Sequence, residues 1–387
     1  MVGRFASTAC LVMLCTVFAY RSTAAQTTAG GTAGQIIHVG ATRDIKTIAA
    51  AARLVRDDGI VEVDAGDYLA DVAVWDKRNL TVRAAGGRVR LIANEASAEG
   101  KAIWVVRSEK MQVEGFDFSG AAVPSRNGAG IRFEKGWLVV RDCSFIGNEN
   151  GILTSNNRDS QLDIEDSEFA HNGFGDGQSH NLYAGEIARL SVTGSHFHHA
   201  KVGHLLKTRA ALNDIRYNRL TDETGGEASY ELEFPNGGVA YVIGNIIQQS
   251  ASTSNPHLIS YGAEGYKWPR NELYLVHNTL LDDRPEGGVF LRVSPGADLV
   301  RTENNLLVGN AKDTIGEPAR NFRAAFEDLV DRQRGDYHLK KGSRLIGKAV
   351  QMAADSTVQL SPQREYAMPR GSIALRKNPI NPGAPQN

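Results

Sequence analysis

The feature that most constrains the fold of this chain is a short phrase that recurs along its middle part. Each copy alternates polar and apolar residues and closes on a bulky apolar residue. The eight copies close at Phe118, Phe145, Phe169, Phe197, Leu220, Ile247, Leu280 and Leu306. Successive copies are 23 to 33 residues apart, and a period of this size is typical of stacked repeats that each bury one face on the next. The alternation within each copy indicates β-strands.

One position of the repeat refines this prediction. Two residues before the closing residue stand, in chain order, Phe116, Cys143, Ser167, Ser195, Asn218, Asn245, Asn278 and Asn304. Four successive asparagines at one position of stacked turns can hydrogen-bond along the stack. Coils of this length with an inward asparagine ladder predict an all-β protein, a single right-handed parallel β-helix. Cys143 lies in this column, and we expect a small buried residue there rather than a reactive thiol.

The two ends of the chain predict the parts that flank the β-helix. Residues 1–25 combine an early arginine, an apolar run and small residues before a cleavage position, which is typical of a secretory signal peptide. Residues 26–310 are expected to form the β-helix, with a capping helix that includes Ile48 near its N-terminus. Residues 311–387 lack the repeat and are expected to be a C-terminal cap and tail of the same domain. The sequence therefore predicts a protein exported to the periplasm or the medium, and we expect a monomer.

The composition excludes several classes of function. The formal net charge is −1 and 42% of the residues are hydrophobic. The chain is therefore not of the disordered class, and it has no global basic field with which to hold nucleic acid. The apolar run near the N-terminus is too short to span a membrane. We expect neither a nucleic-acid partner nor a membrane span, so any polyanion must be bound by a local patch.

Residues 202–249 carry a resemblance to known proteins. They read GHLLKTRA, then NDIRYNRL, then YELEFPNGG, then VIGNII. These phrases resemble the pectate-lyase-like superfamily of right-handed parallel β-helices, and they are locally similar to the chondroitinase-B/alginate-lyase family of polysaccharide lyases. The resemblance implies that Lys207 stands at the position of the family's catalytic base.

The same stretch departs from the family pattern in two places. The segment Glu233-Phe234-Pro235 stands where the family has Arg-His-Gly, and Ala200 and Val202 stand where it has glutamates that hold calcium. The metal ligands that the resemblance would imply are therefore absent. We predict no metal site and no cofactor, with Ca²⁺ kept as an alternative.

Polar and aromatic residues are concentrated in the same part of the chain. Eight of the ten histidines lie between residues 171 and 277. The segments 180–185, 203–209, 230–234 and 257–262 occupy corresponding places in four consecutive coils. Outward side chains of successive coils lie about 4.8 Å apart, so these segments predict one continuous outward surface. Strict alternation would place Lys207 on the inward side with Leu205, so the prediction requires a break of the alternation there.

The residue types on this surface suit the cleavage of an anionic, uronic-acid polysaccharide by β-elimination. That reaction needs a cation for the carboxylate, a base for the proton α to it and an acid for the leaving oxygen. Arg209 suits the carboxylate, since its guanidinium binds it bidentately. Lys207 suits the base, and Tyr183 or His204 suits the acid, or the base in place of Lys207. The residues expected to bind or support the substrate are His180, Asn181, Glu231, Glu233, Asn236, His257, Tyr261 and Glu264.

Three alternatives to a polysaccharide lyase remain open from the sequence. In YELEF, alternation places Glu231 and Glu233 together on one face, about 6.7 Å apart, as in an inverting glycoside hydrolase. A uronate epimerase would use the same surface, and a non-catalytic protein would only bind or assemble glycans. In HFHH, alternation separates His198 from His199, so the sequence argues against a zinc site there.

Overall fold

The computed structural model describes residues 34–312, 320–352 and 358–386. The predicted signal peptide, residues 1–25, lies outside these residues. The chain is a right-handed parallel β-helix whose coils each contribute strands to three faces, here named A, B and C. Among the described residues, no helix has the length and apolar character that a membrane crossing requires.

The strands of each face pair in parallel from coil to coil. Face A consists of Ile36–Val39, Lys110–Glu114, Trp137–Arg141, Gln161–Glu165, Arg189–Thr193, Leu212–Arg216, Val239–Ile243, Glu272–Val276 and Leu299–Glu303. Face B consists of Phe116–Ser119, Ser144–Ile146, Glu168–Ala170, His196–His198, Arg219–Thr221, Ile246–Gln249, Thr279–Asp282, Leu306–Gly309 and Phe322–Ala324. Face C consists of Ala73–Trp75, Ala102–Val106, Ala129–Phe133, Asn150–Thr154, Leu182–Ala184, His204–Thr208, Tyr230–Phe234, His257–Tyr261 and Val289–Val293. Two long strands, Ile60–Leu69 and Leu80–Ile92, run through both A and B.

The recurring phrase forms the corner between faces A and B. Its closing aromatic residues point into the core, where Phe118, Phe145, Phe169 and Phe197 stack with ring centroids 4.6 to 4.8 Å apart. Stacked pairs of this kind contribute about 0.5–1.5 kcal/mol each beyond the area they bury. Cys143 is fully buried as predicted, and burial raises the pKa of its thiol to about 12.

The predicted asparagine ladder exists, with one correction. Asn218, Asn245 and Asn278 are linked through their side-chain amides, and the next member is Asn305 rather than Asn304. Asn304 is instead the corner residue before it, with a left-handed backbone at φ 57°. Because Leu280 pairs with Leu307 and not with Leu306, the sequence alignment of the last copy is wrong by one residue.

A second ladder, which the sequence analysis missed, lies at the turn from face B to face C. Asn148 donates to Asn172 at 3.1 Å, and Asn172 donates to Asn181 at 2.8 Å. Asn181 also donates to two main-chain carbonyls and is fully buried. The prediction that Asn181 binds substrate is therefore wrong, because its amide is used to join the coils.

The ends of the described chain pack on the β-helix. The helix Ile48–Leu54 begins at Thr47, whose side chain caps it, and its buried residues join the core. Its role as a cap stays a prediction. After the last strand of face B, the chain forms two antiparallel strand pairs, Leu329–Asp331 with Asp336–Leu339 and Arg364–Tyr366 with Ser372–Ala374. It also forms two 3-10 turns, Phe326–Asp328 and Arg332–Arg334.

The last described segment returns along the outside of the β-helix. Gln363 donates its backbone N–H to the Tyr217 hydroxyl at 3.0 Å, and Arg370 donates to Asp142 at 2.8 Å and to Ser144 at 2.7 Å. These contacts join residues that are about 150 to 230 positions apart. The segment thus covers part of the corner between faces A and B.

Candidate functional site

A single row of residues in register crosses face C. Strand pairing places Arg132, Leu153, Tyr183, Lys207, Glu233, Ser260 and Arg292 next to one another on successive coils. Adjacent members are separated by about 4.8 Å of backbone. The structure therefore brings Tyr183, Lys207 and Glu233 together, as the sequence predicts.

The required break in alternation occurs within the strand His204–Thr208. Leu205 and Leu206 are consecutive and both fully buried in the core. The side chains on either side of them consequently reach the same surface. His204 Nε2 lies 2.8 Å from Glu233 Oε2, and Lys207 Nζ lies 3.1 Å from the same oxygen.

The same break repeats in the next coil and corrects the prediction for Glu231. His204 pairs with Tyr230 and Leu206 with Leu232, so Glu231 stands opposite Leu205 and points inward. Glu231 is fully buried, and neither of its carboxylate oxygens has a hydrogen-bond partner among the described residues. Burial raises the pKa of this carboxyl well above its usual value near 4.5. Glu231 and Glu233 therefore do not form an acid and base pair on one face.

Arg209 is the centre of a hydrogen-bond network beside this row. Its guanidinium binds Glu264 bidentately, with distances of 2.7 and 2.9 Å. It also donates to the Tyr183 hydroxyl at 2.8 Å and to Asn236 Oδ1 at 2.5 Å. Burial opposes the charge of Arg209, but Glu264 and Tyr183 raise its pKa above the ordinary value. Arg209 is thus firmly held, and it holds the Tyr183 ring in turn.

The two histidines of the site are buried in different hydrogen-bonding states. His180 Nδ1 accepts the backbone N–H of His204 at 3.0 Å, so the ring proton of His180 belongs on Nε2. Burial, with repulsion from His204 and Lys207, lowers the pKa of His180 well below 6.5. Burial also lowers the pKa of His204, although the hydrogen bond with Glu233 opposes this. We therefore describe both imidazoles as neutral at pH 7.

Glu233 is the acidic partner of this group. Burial alone would raise the pKa of Glu233, but the hydrogen bond from His204 and the contact with Lys207 lower it. The residue is 4% exposed. Glu233 is therefore placed to hold Lys207 and His204, and it lies beneath the surface that a substrate would touch.

An open cleft of about 410 Å³ lies over this end of the row. It is lined by Asn127, Arg132, Asn150, Leu153, Thr154, Ser155, Asn156, Gln178, His180, Tyr183, Lys207 and Arg209. Polar side chains dominate the lining, and both predicted cations, Lys207 and Arg209, contribute to it. A groove of this composition suits a hydroxyl-rich, charged ligand.

Arg132 is the functional candidate that sequence reasoning missed. It forms no ion pair within the described part of the chain, and its Nε is buried without a hydrogen-bond partner. Burial lowers the pKa of this guanidinium. The sequence signal was an arginine at an outward strand position in GIRFEKG, two coils before Tyr183. A single outward arginine does not reveal whether a carboxylate neighbours it.

Two further predicted residues lie away from the cleft. Tyr261 is fully buried, and its hydroxyl donates to the Gly238 carbonyl at 2.6 Å, so the prediction that it binds substrate is wrong. His257 is half-buried and lies 3.0 Å from Asn255 Oδ1, three coils along face C from His180. Neither residue lines the cleft described above.

The comparisons with known proteins bear on the scaffold. A family model described as a right handed beta helix region matches residues 59–220. No curated protein matches the chain. The crystal structure of pectate lyase Pel9A is similar with a TM-score of 0.61 and 11% sequence identity, over 92% of this chain and 97% of that one. The predicted right-handed parallel β-helix is confirmed as the fold, and the similarity to the chondroitinase-B/alginate-lyase family stays a prediction.

Proposed function

We propose that this β-helix protein is an exported polysaccharide lyase, which cleaves a uronic-acid-containing polysaccharide by β-elimination in the cleft on face C. The observation that carries the proposal is the guanidinium of Arg132, which forms no ion pair within the described residues and shares the cleft with Tyr183 and Lys207. The likeness of the fold to a pectate lyase supports the choice of scaffold.

Arg132 is better placed than Arg209 to receive the substrate carboxylate. A carboxylate that approached Arg209 would have to displace Glu264, which already occupies the bidentate side of that guanidinium. Arg132 has no such ion-pair partner among the described residues, and its half-buried guanidinium would therefore gain from binding an anion. We therefore assign carboxylate binding to Arg132 and describe Arg209 as a positioning residue that holds Tyr183.

Tyr183 and Lys207 are adjacent in the row and suit the two proton transfers. Because the Tyr183 oxygen accepts a hydrogen bond from Arg209, its own proton is directed elsewhere and can be donated to the leaving oxygen. Lys207 lies 3.1 Å from Glu233, so it can pass a proton to that carboxylate. Glu233 is thus the proposed acceptor of the Lys207 proton before the amine acts as the base.

The proposed reaction balances without water or an oxidant. Lys207 removes the proton α to the uronate carboxylate, and the electron pair of that C–H bond forms a carbon–carbon double bond. The bond between the β carbon and the glycosidic oxygen breaks, and Tyr183 protonates that oxygen. Each group then exchanges its proton with solvent. A uronate epimerase would share the first step and return a proton to the opposite face.

A hydrolase that uses Glu231 and Glu233 is not proposed. An inverting hydrolase needs both carboxyl groups on the substrate side, with room for a water molecule between them and the sugar. Glu231 lies in the core instead. A glycan-binding protein without activity is the remaining alternative to be tested.

The test is to incubate the purified protein with alginate, glucuronan, glycosaminoglycan and pectin substrates. We expect new ultraviolet absorbance from an unsaturated uronate with at least one of them. Lys207→Ala should lower that rate by about 10²- to 10⁴-fold, the range for loss of a general acid or base. The matched control is Lys348→Ala, an exposed lysine of the C-terminal segment, which should retain the full rate.

Each other outcome has a definite meaning. Reducing ends without the absorbance would indicate hydrolysis, and an exchanged α-proton without cleavage would indicate epimerisation. Binding with no change in the polymer would indicate the non-catalytic alternative. A folded Lys207→Ala variant with the full rate would remove Lys207 from the mechanism.

A further inference from the structure

Three histidines converge at the turn that leaves face B, away from the cleft. His171 follows the strand Glu168–Ala170, and His198 and His199 lie at and just after the end of the next strand, His196–His198. One potential ligand atom from each of the three imidazoles lies within 4.8 Å of the other two. Imidazole nitrogens so close together form a potential site for a transition-metal ion.

The backbone of two consecutive coils creates this arrangement. Ala170 pairs with His198, so His171 and His199 occupy equivalent positions. Both have left-handed backbones, with φ of 55° and 48°, and their rings stack with centroids 4.8 Å apart. The expectation that alternation separates His198 from His199 is wrong, because the strand ends at His198 and the left-handed residue turns the chain.

The hydrogen bonds around His198 direct one of its nitrogens toward its neighbours. His198 Nε2 lies 3.3 Å from Glu168 Oε1, so this nitrogen donates and Nδ1 carries the lone pair. His198 Nδ1 lies 2.7 Å from His199 Nδ1. A carboxylate on the far nitrogen is the usual outer-shell partner of a metal-binding histidine, where it fixes the tautomer and the ring orientation.

We propose that His171, His198 and His199 bind a divalent transition-metal ion of the Zn²⁺ class, with Glu168 orienting His198. Three neutral imidazoles suit Zn²⁺, which commonly takes three protein ligands and leaves a fourth position to water or another ligand. Ca²⁺ and Mg²⁺ prefer oxygen ligands and should be rejected. The exposed position of His171 leaves the site open to solvent.

Metal binding requires one small rearrangement. His198 Nδ1 and His199 Nδ1 lie 2.7 Å apart, and because Nδ1 of His198 carries the lone pair, the proton of this contact belongs to His199. Two nitrogens bound to a tetrahedral Zn²⁺ at about 2.0–2.1 Å are about 3.3 Å apart, so the two rings must separate slightly. The proton of His199 then moves to its Nε2, both rings stay neutral, and no net proton is released.

A second group shares His198 and must be distinguished from the first. Glu168, His196 and His198 also have ligand atoms within 4.8 Å of one another. His196 Nε2, however, lies 3.2 Å from Glu223 Oε1 and 3.5 Å from the Thr221 hydroxyl, so this nitrogen is already used within the neighbouring hydrogen-bond network. We therefore assign His196 to the supporting hydrogen-bond network and not to the metal.

The experiment is a ZnCl₂ titration of the untagged, chelator-treated protein by calorimetry, repeated with CoCl₂ to record visible absorption. The wild type should bind one Zn²⁺ per chain. Glu168→Gln should weaken binding about 10- to 100-fold, the range for loss of an outer-shell partner. His171→Ala and His199→Ala should each weaken it at least as much, and thermal melts verify that each variant is folded.

The control is His38→Ala, which removes another exposed histidine paired with a glutamate, and it should bind Zn²⁺ like the wild type. Equal affinities of the wild type and the His171→Ala/His199→Ala double variant would overturn the assignment. Loss of binding in His196→Ala with none in His171→Ala would place the ion on the second group and would equally overturn it. Because the readout is metal binding, the result is independent of the proposed lyase activity.

Discussion

Replacing Asn245 by leucine is expected to destabilise the protein strongly, because this residue is a central member of the asparagine ladder. Its Nδ2 donates to the Ile215 carbonyl at 2.8 Å and to Asn278 Oδ1 at 3.0 Å. Its Oδ1 accepts the backbone N–H of Asn218 at 2.9 Å and the Asn218 amide at 3.0 Å. All four residues are buried at these atoms.

Only some of the groups that Asn245 binds are left without a hydrogen-bond partner when its side chain is replaced. The Asn218 amide still donates to Val192 O, and Asn278 Oδ1 still accepts the backbone N–H of residue 245. Two groups lose this partner inside the core: the Ile215 carbonyl and the Asn218 backbone N–H. Each unsatisfied buried group costs about 1–3 kcal/mol, so the expected loss is about 2–6 kcal/mol.

Serine offers a graded comparison because it already occupies this column in earlier coils. The Ser167 backbone N–H donates to Ser195 Oγ at 3.1 Å. A serine in this column can therefore accept the backbone N–H of the column residue in the preceding coil. Asn245→Ser should therefore keep the partner of the Asn218 N–H and lose that of the Ile215 carbonyl. Its loss of stability should be about half that of Asn245→Leu.

The assay is equilibrium unfolding in urea, followed by circular dichroism, of the wild type and both variants. Asn127→Leu, which changes an exposed asparagine, serves as the control and should change the free energy of unfolding by less than about 0.5 kcal/mol. If Asn245→Leu were no less stable than Asn127→Leu, the inference that the ladder satisfies otherwise orphaned groups would be refuted.

Three further predictions concern the site and the buried acid behind it. The pKa of the Glu231 carboxyl is raised in the folded protein. The contribution of this group to stability is therefore lost as the pH rises above about 4.3, the pKa of a glutamate in an unfolded chain, toward its pKa in the folded protein. Glu231→Gln should thus be more stable than the wild type at pH 8 and show a weaker decline between pH 5 and pH 8 in urea unfolding. Arg132→Ala should weaken binding of the uronate polymer, measured by calorimetry, and leave binding of its neutral, carboxyl-reduced form unchanged, whereas an equal loss of affinity for both polymers would contradict carboxylate binding. Arg209→Lys should lower kcat about as much as Tyr183→Phe, since an ammonium cannot hold Tyr183 and Glu264 in the same fork; a normal kcat would show that this positioning is not needed.

The fold could be predicted from local patterns alone. A repeat of 20 to 30 residues with alternating polar and apolar positions predicts stacked β-coils, because each coil can bury its apolar residues only against the next coil. Cys143 and the phenylalanine column could be placed inward for the same reason. The error at Asn304 arose where two asparagines and two leucines are adjacent, because the pattern there fits equally well in two registers. Only the pairing of Leu280 with Leu307 decides between them.

The site could be predicted only in outline. Lys207, Tyr183 and Glu233 were brought together by the repeat register, which the sequence determines. The tertiary structure decided the inward turn of Glu231 and the return of His199 toward His198. It also decided that Arg132 Nε is buried without a hydrogen-bond partner among the described residues. The physical reason is that alternation assigns sides only while a strand is regular. One extra core residue, as at Leu205–Leu206, or one left-handed residue at a turn exchanges the inward and outward positions of the side chains that follow in the strand. These irregularities are set by packing against the neighbouring coils.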